Sequence, residues 1–301
     1  MVHPHDSRPR WDAWHLHVAD PRPEATDLVI RRVVAPAVAW HQAHPAPAAW
    51  FFIRYWQNGP HVRLRLAGLG DDGRREVERL LRGHLAEVLT ALPATLSPAD
   101  YQRQAAPVAA AGEGGRRLDV GTLCPAGVYR CRYEAEMDRF GGPRLMAESE
   151  ALFQAASELV LAFCRLAAPE PARSGLGLRA TWAALELLDW DRRLAFCQRA
   201  ARDWQAWAEP GGGLGRYSPP PLADGVDGPA PAPVQRWVWR LEQAMVNWEA
   251  ALPPAEVDRI LHAHLHLLHN RLGLGVVHEC NHYVALAAAI QSHGAMAGTT
   301  R

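Results

Sequence analysis

Hydrophobic positions recur every second residue in the first part of the chain and at helical spacing in the later part. Trp11 to Ala19 (WDAWHLHVA) partly alternates and predicts a strand. Pro21 and Pro23 end it, and Thr26 is placed to cap a helix running to about His44. Ala49 to Trp56 (AWFFIRYW) is aromatic and β-branched, Gln57-Asn58-Gly59-Pro60 is turn chemistry, and His61 to Leu66 (HVRLRL) alternates strictly. Together they predict a β-hairpin. On its second strand Val62, Leu64 and Leu66 point one way, and His61, Arg63 and Arg65 the other.

Residues 71 to 92 read as an amphipathic helix, followed by a Pro/Ala/Gly stretch from Pro93 to Gly115 that predicts a long surface excursion. Val128 to Tyr133 predicts a strand. A long helix is expected from near Leu145 to just before Pro169, and another over Thr181 to Ala208. The Gly/Pro-rich segment at about 209–233 predicts a flexible loop. Helices are then expected over Val234–Ala251, Pro254–Leu272 and Val276–Ser292. Strands early and helices late point to an α+β fold in one domain over residues 1–301, with an antiparallel or mixed sheet packed against a largely helical C-terminal half.

Composition narrows the function classes. Thirty-two basic and 32 acidic residues cancel, so no net field draws the chain to nucleic acid or an anionic membrane. All the basic residues are Arg and none is Lys. Schiff-base and Lys-base mechanisms are therefore excluded, and any carboxylate must be recognised by guanidinium groups, which suit it. Five scattered cysteines without a CxxC pair read as ordinary thiols of a reducing, cytoplasmic protein. No apolar run of membrane-spanning length occurs.

Four constellations could carry chemistry. Arg63 and Arg65 share a strand face roughly 6 to 7 Å apart, close enough to grip one dicarboxylate; by alternation alone, a solvated outer face of an edge hairpin is the better reading. In Tyr133 to Gly142 (YEAEMDRFGG), Glu136 and Arg139 are three apart and would meet on a helical turn. In Asp258 to Leu272 (DRILHAHLHLLHNRL), His262, His266 and Asn270 form one helical stripe with His269 beside it. Imidazoles there suit proton transfer. Finally, His278-Glu279-Cys280-Asn281-His282 matches the HExxH zinc motif. No Asp or Glu follows it, and the nearest downstream imidazole, His293, lies eleven residues on. The expectation is a helix with Glu279 near the positive end of its dipole, with no metal and no cofactor.

Taken in order, FFIRYWQNGPHVRLRL (Phe51 to Leu66), YEAEMDRFGG (Tyr133 to Gly142) and LHLLHNRL (Leu265 to Leu272) resemble the three signature blocks of the C-terminal domain of class I lantibiotic dehydratases. The same domain occurs as a free-standing thiopeptide-type bacteriocin biosynthesis protein. The resemblance spans essentially the whole chain. It implies the glutamate-elimination half of tRNA-dependent Ser/Thr dehydration. A separate glutamylation enzyme esterifies a hydroxyl of a ribosomal precursor peptide, and this domain removes the glutamate to leave dehydroalanine or dehydrobutyrine. By motif match the functional positions fall on Arg63, Arg65, Glu136, Arg139 and His266, with Arg54, His61, Asn270 and Arg271 expected to bind substrate.

The implied roles fit the residue types. The arginines would hold the departing carboxylate, His266 would be the acid/base, and Glu136 would orient an arginine or the imidazole. The geometric expectation is that these groups converge in one cavity. Free-standing relatives in thiopeptide pathways also perform a formal [4+2] cycloaddition of two dehydroalanines with release of the leader peptide. A scaffold that only holds the precursor is the third reading. Each requires precursor-peptide binding and none requires direct binding of nucleic acid; a homodimer is left open.

Overall fold

The computed structural model describes residues 10–44, 48–92, 95–111, 119–208 and 230–298, and they form an α+β structure as expected. The element order is β1 (Trp11–His17), α1 (Pro23–Val29), a π-helical turn (Ile30–Val34), α2 (Ala35–Gln42), β2 (Trp50–Tyr55), β3 (His61–Ala67), α3 (Asp71–Ala91), α4 (Pro98–Ala111), β4 (Gly127–Cys131), a 3-10 turn (Met137–Phe140), α5 (Met146–Arg165), α6 (Glu170–Leu185), α7 (Trp190–Ala208), α8 (Ala232–Ala251), α9 (Pro254–Leu272) and α10 (Val276–Gly298). The Gly/Pro-rich loop expected at about 209–233 lies largely outside the described residues.

Two compact units share the chain: residues 1–102 with 121–165, and residues 103–120 with 166–301. In the first, an antiparallel sheet has the order β2-β3-β1-β4. Trp14, Leu16, Phe52, Val62, Leu64 and Leu66 share one face, and all are fully buried. Their alternation is what permits the sheet to cover a helical layer. β2 is an edge strand, and α5 closes its free ladder. Phe52 N–H donates to Ser157 Oγ (3.1 Å) and Trp50 N–H to Gln154 Oε1 (3.3 Å), which removes an unpaired edge. The hairpin turn places Asn58 and Gly59 at positive φ (62° and 97°), as the Asn-Gly pair predicts.

The second unit is helical. Trp237, Trp248, Leu241, Leu261, Leu265 and Leu268 are buried within it. α9 ends at Gly273, whose positive φ (80°) lets Leu274 N–H reach His269 O (3.0 Å) and turns the chain into α10. α6 approaches α9 closely at Gly177, where an added Cβ would lie 2.7 Å from Leu274 Cδ1 and 3.2 Å from the His269 ring.

Several sequence expectations are corrected. The stretch after Pro93 contains α4, because Ser97 and Asp100 form a reciprocal cap: Asp100 N–H donates to Ser97 Oγ (3.1 Å) and Ser97 O–H to Asp100 Oδ2 (2.5 Å). The single helix expected over 181–208 is two, α6 and α7. The chain breaks before Asp189, whose Oδ1 accepts Arg192 N–H (2.9 Å) as an N-cap. Thr26 does not cap α1. Pro23 begins that helix, and Thr26 Oγ1 donates back to Pro23 O (3.0 Å) from inside it. β4 ends at Cys131, two residues short of the expectation.

Candidate functional site

The opposite face of the sheet carries the residues of the first signature block. The register pairs His17 with His61, His15 with Arg63, and Ala13 with Arg65, while β2 pairs Tyr55 with His61 and Phe51 with Arg65. Strict alternation therefore places His15, His17, His61, Arg63, Arg65 and Tyr55 on one face. It is not a solvated face. Arg65 is 6% exposed and His61 1%.

Arg65 is the unusual member. Its guanidinium lies 5.6 Å from the Tyr133 ring centre, and its Nε and Nη1 are buried with no hydrogen-bond partner among the described residues. Burial pushes its pKa down to about 10, so the group is still charged at neutral pH. A buried cation with unused donors is costly unless an anion meets it. Arg63 lies 3.4 Å above the Tyr55 ring and its Nε donates to His61 Nε2 (3.0 Å). Burial lowers the pKa of Arg63, while the phenol of Tyr55, the thiol of Cys131 and the carboxylate of Glu136 act to raise it. Glu136 in turn holds Arg139 (3.1 Å) across the 3-10 turn, so the pair meets as its spacing predicts. Tyr133 is pushed well up, by burial first and then by Glu150.

Burial holds the imidazoles beside these arginines neutral: His15 is lowered to about 3, His17 to about 4 and His61 to about 2, with Arg63 adding to the effect in each. Among the described residues, these three form the group whose ligand atoms could meet at one metal ion, all lying within 4.8 Å of one another. The sequence, read as β1 plus a hairpin two score residues away, did not bring them together.

Arg54 belongs elsewhere. It lies on the apolar side of the same hairpin, where Asp27, Thr26 and Pro23 O bind its guanidinium. That arrangement is a buried structural ion pair, separated from Arg63 and Arg65 by the sheet itself. It does not fit the substrate-binding role expected of Arg54.

In the second unit, α9 and α10 surround one carboxylate with imidazoles. Glu279 is 1% exposed. Its Oε2 meets His266 Nδ1 at 2.9 Å and lies 3.7 Å from His269 Nδ1, while Oε1 lies 3.9 Å from His262 Nε2 and accepts Tyr283 O–H at 3.2 Å. Burial pushes the carboxyl up. The charge and hydrogen bond of His266 and the nearby ring of His269 outweigh it, and Glu279 sits well below the ordinary carboxylate range. An ionised Glu279 accepts from His266 Nδ1–H, so Nε2 is the nitrogen left for chemistry. The His266 side chain is 24% exposed and lies against Trp204 (centroids 4.9 Å apart).

The HExxH residues do not converge. His278 faces Glu170 (3.3 Å), His282 Nε2 meets Ser174 Oγ (2.9 Å), and Glu279 is committed to the α9 imidazoles. Burial lowers His282 to about 3. Of the other expected positions, Asn270 is half-buried, and Arg271 is buried with Nη1 donating to Leu267 O (2.9 Å). Glu279 as the partner of His266 was missed. The signal was available: positions 266 and 279 are nearly symmetric about the Leu272-Gly273 turn, and an antiparallel helix pair brings such positions together.

The fold has solved counterparts. The chain is similar to the pyridine synthase TbtD from thiomuracin biosynthesis (TM-score 0.60, 18% identity, covering 94% of this chain and 99% of that one) and to TsrL (0.55, 15%, 95% of each). It also matches the tRNA-dependent lantibiotic dehydratase MibB from Microbispora sp. 107891 (0.54, 19%, 95% of this chain but 28% of that one). The chain belongs to the lantibiotic biosynthesis dehydratase C-terminal family, whose profile matches residues 11–290. No curated protein matches the sequence. No helix among the described residues is long and apolar enough to cross a membrane.

Proposed function

We propose that this protein removes glutamate from glutamylated Ser or Thr of a ribosomal precursor peptide, acting after a separate glutamyl-tRNA-dependent enzyme in peptide natural product maturation. The observation that carries this reading is Arg65, a buried cation with two unused N–H donors, two residues from Arg63 on the same strand face. Such a place selects an anionic group and holds it away from water. A glutamyl ester supplies one before the reaction and a full carboxylate after it.

In the proposed reaction, the Cα–H bond of the modified residue breaks as His266 Nε2 takes the proton. The electron pair forms the Cα=Cβ bond, and the Cβ–O bond breaks with its electrons leaving on the glutamate carboxylate. Arg63 and Arg65 bind that carboxylate, and Glu136 holds Arg139. The orienting carboxylate for the imidazole is Glu279, in place of Glu136. A β-elimination of this kind needs a base, a stabilised anion and an exit for the leaving group; His266 is the candidate base, and Arg63 and Arg65 are the candidates that hold the departing anion.

A second reading, formal [4+2] joining of two dehydroalanines with leader release, is favoured by one observation. The chain is similar to TbtD, a pyridine synthase from thiomuracin biosynthesis, over 94% of its own length and 99% of the length of TbtD. Two synthetic peptides decide between them by mass spectrometry. One is glutamylated at Ser, the other bears two dehydroalanines. Loss of glutamic acid from the first supports elimination; ring formation with leader release from the second replaces that reading, and inertness toward both removes the enzymatic account.

A further inference from the structure

We propose that His15, His17 and His61 form a binding site for an imidazole-preferring divalent ion of the first transition row, zinc in the first instance, and that the ion competes with Arg63 for His61. This goes beyond the elimination reading and does not depend on it.

Four observations carry the proposal. The three side chains come from paired positions of β1 and β3, so the sheet ladder fixes their backbones on one face, with His17 directly opposite His61. Their ligand atoms already lie within 4.8 Å of one another. Nitrogens bound at about 2.0–2.1 Å to one tetrahedral ion sit roughly 3.3 Å apart, so the rings need to draw together without a change of register. Second, His61 is oriented as a metal-binding imidazole is: its Nδ1 meets Gly59 O at 2.8 Å, which leaves the Nε2 lone pair facing away from that carbonyl. Third, His17 is 3% exposed and its Nδ1 is buried without a hydrogen-bond partner; a buried acceptor left unsatisfied calls for a ligand. Fourth, His15 is only half-buried, so an ion and its water can enter from that side. Three imidazoles without thiolate or carboxylate suit zinc, copper or nickel rather than magnesium or calcium.

The opposing force is equally specific. Arg63 Nε occupies the His61 Nε2 lone pair, and both Arg63 and Arg65 bear positive charge that repels a dication. Metal and Arg63 therefore cannot hold His61 together. Ion binding must move the Arg63 guanidinium, and removing its charge must tighten the metal.

The test is titration of the metal-free full chain with Co2+, read as visible absorption, and then with Zn2+ in competition. The expected result is about one equivalent bound in a four-coordinate spectrum that Zn2+ abolishes. His15→Asn and His17→Gln should each weaken uptake by about tenfold or more, and Arg63→Gln should strengthen it by about tenfold. His278→Asn, in the other unit, should leave it unchanged. Because His17 is buried and its variant could lose the fold, His15→Asn, with circular dichroism to show that it folds, is the deciding variant. Failure of the folded wild type to bind Co2+, or uptake that His15→Asn leaves intact, overturns the proposal. Affinity that falls in Arg63→Gln overturns the competition. All of these readings are independent of turnover, so loss of the elimination reading would not touch them.

Discussion

The two units treat buried charge in opposite ways. In the helical unit, Glu279 is ionised and buried, and it is hydrogen-bonded: His266 at 2.9 Å and Tyr283 at 3.2 Å, with two further imidazoles within 4 Å. On the sheet face, Arg65 is also buried yet has donors unused among the described residues, and the imidazoles beside Arg63 are held neutral. In the first, the carboxylate has hydrogen-bonded partners; in the second, no hydrogen-bonded anion meets Arg65 Nε or Nη1 among the described residues. Residue type alone does not distinguish the two situations.

The comparison can be broken most directly at His266. We expect His266→Ala to lower elimination from a glutamylated peptide by about 10³-fold, the range of a lost acid/base; wild-type turnover would end the assignment. Glu279→Gln should lower it less and alter the pH profile of the remaining activity, since it acts through the imidazole.

Arg54 and Arg65 test whether partnered and unpartnered cations differ. Arg54→Met leaves Asp27 buried without its counterion and should cost about 3–5 kcal/mol in urea unfolding. Arg65→Met removes a charge that has no hydrogen-bonded partner, and should stabilise the fold by about 1–2 kcal/mol while abolishing substrate binding. A strongly destabilised Arg65→Met protein would show that the sheet face is already satisfied.

A pH titration of stability sharpens the contrast further. His17 and His61 have folded values of about 4 and about 2 against 6.5 when free. The unfolded chain therefore binds more protons below pH 6.5, and stability falls on acidification from there toward pH 4. Each buried imidazole contributes up to ~1.4 kcal/mol per pH unit. His61→Asn, measured with a chelator present, should flatten the slope by about one proton. An unchanged slope would mean that His61 is not held neutral. Glu279 has the same sign in a lower window. Its depressed carboxyl stabilises the fold above the ordinary Glu value, and that contribution is lost on descent toward the folded-state value.

The smallest effect is expected at Glu136 and Arg139. Their ion pair is exposed on the Glu136 side (64%), and Arg139→Ala should change stability by less than ~0.5 kcal/mol. A larger loss would move the pair from the substrate's side of the comparison to the structural side.

Much of this was legible before folding. Period-two alternation in HVRLRL put Arg63 and Arg65 on one face, Asn58-Gly59 specified the hairpin, and the i, i+3 spacing of Glu136 and Arg139 predicted their contact, because each depends on local backbone geometry alone. The α4 cap at Ser97 and the α7 cap at Asp189 were equally local; the first was hidden by Pro- and Ala-rich surroundings, the second by a helical pattern that continues on both sides of it. What no local pattern could supply was partnership across distance. Arg54 and Arg65 lie eleven residues apart on the same hairpin with the same side chain, and only the layer each face meets made one a core ion pair and the other an unmet cation. The same holds for His15, His17 and His61, gathered by strand register, and for Glu279, brought to His266 by a helix turn. Chain periodicity determines which way a side chain points; burial and the groups that arrive from elsewhere decide its charge, and with it its chemistry.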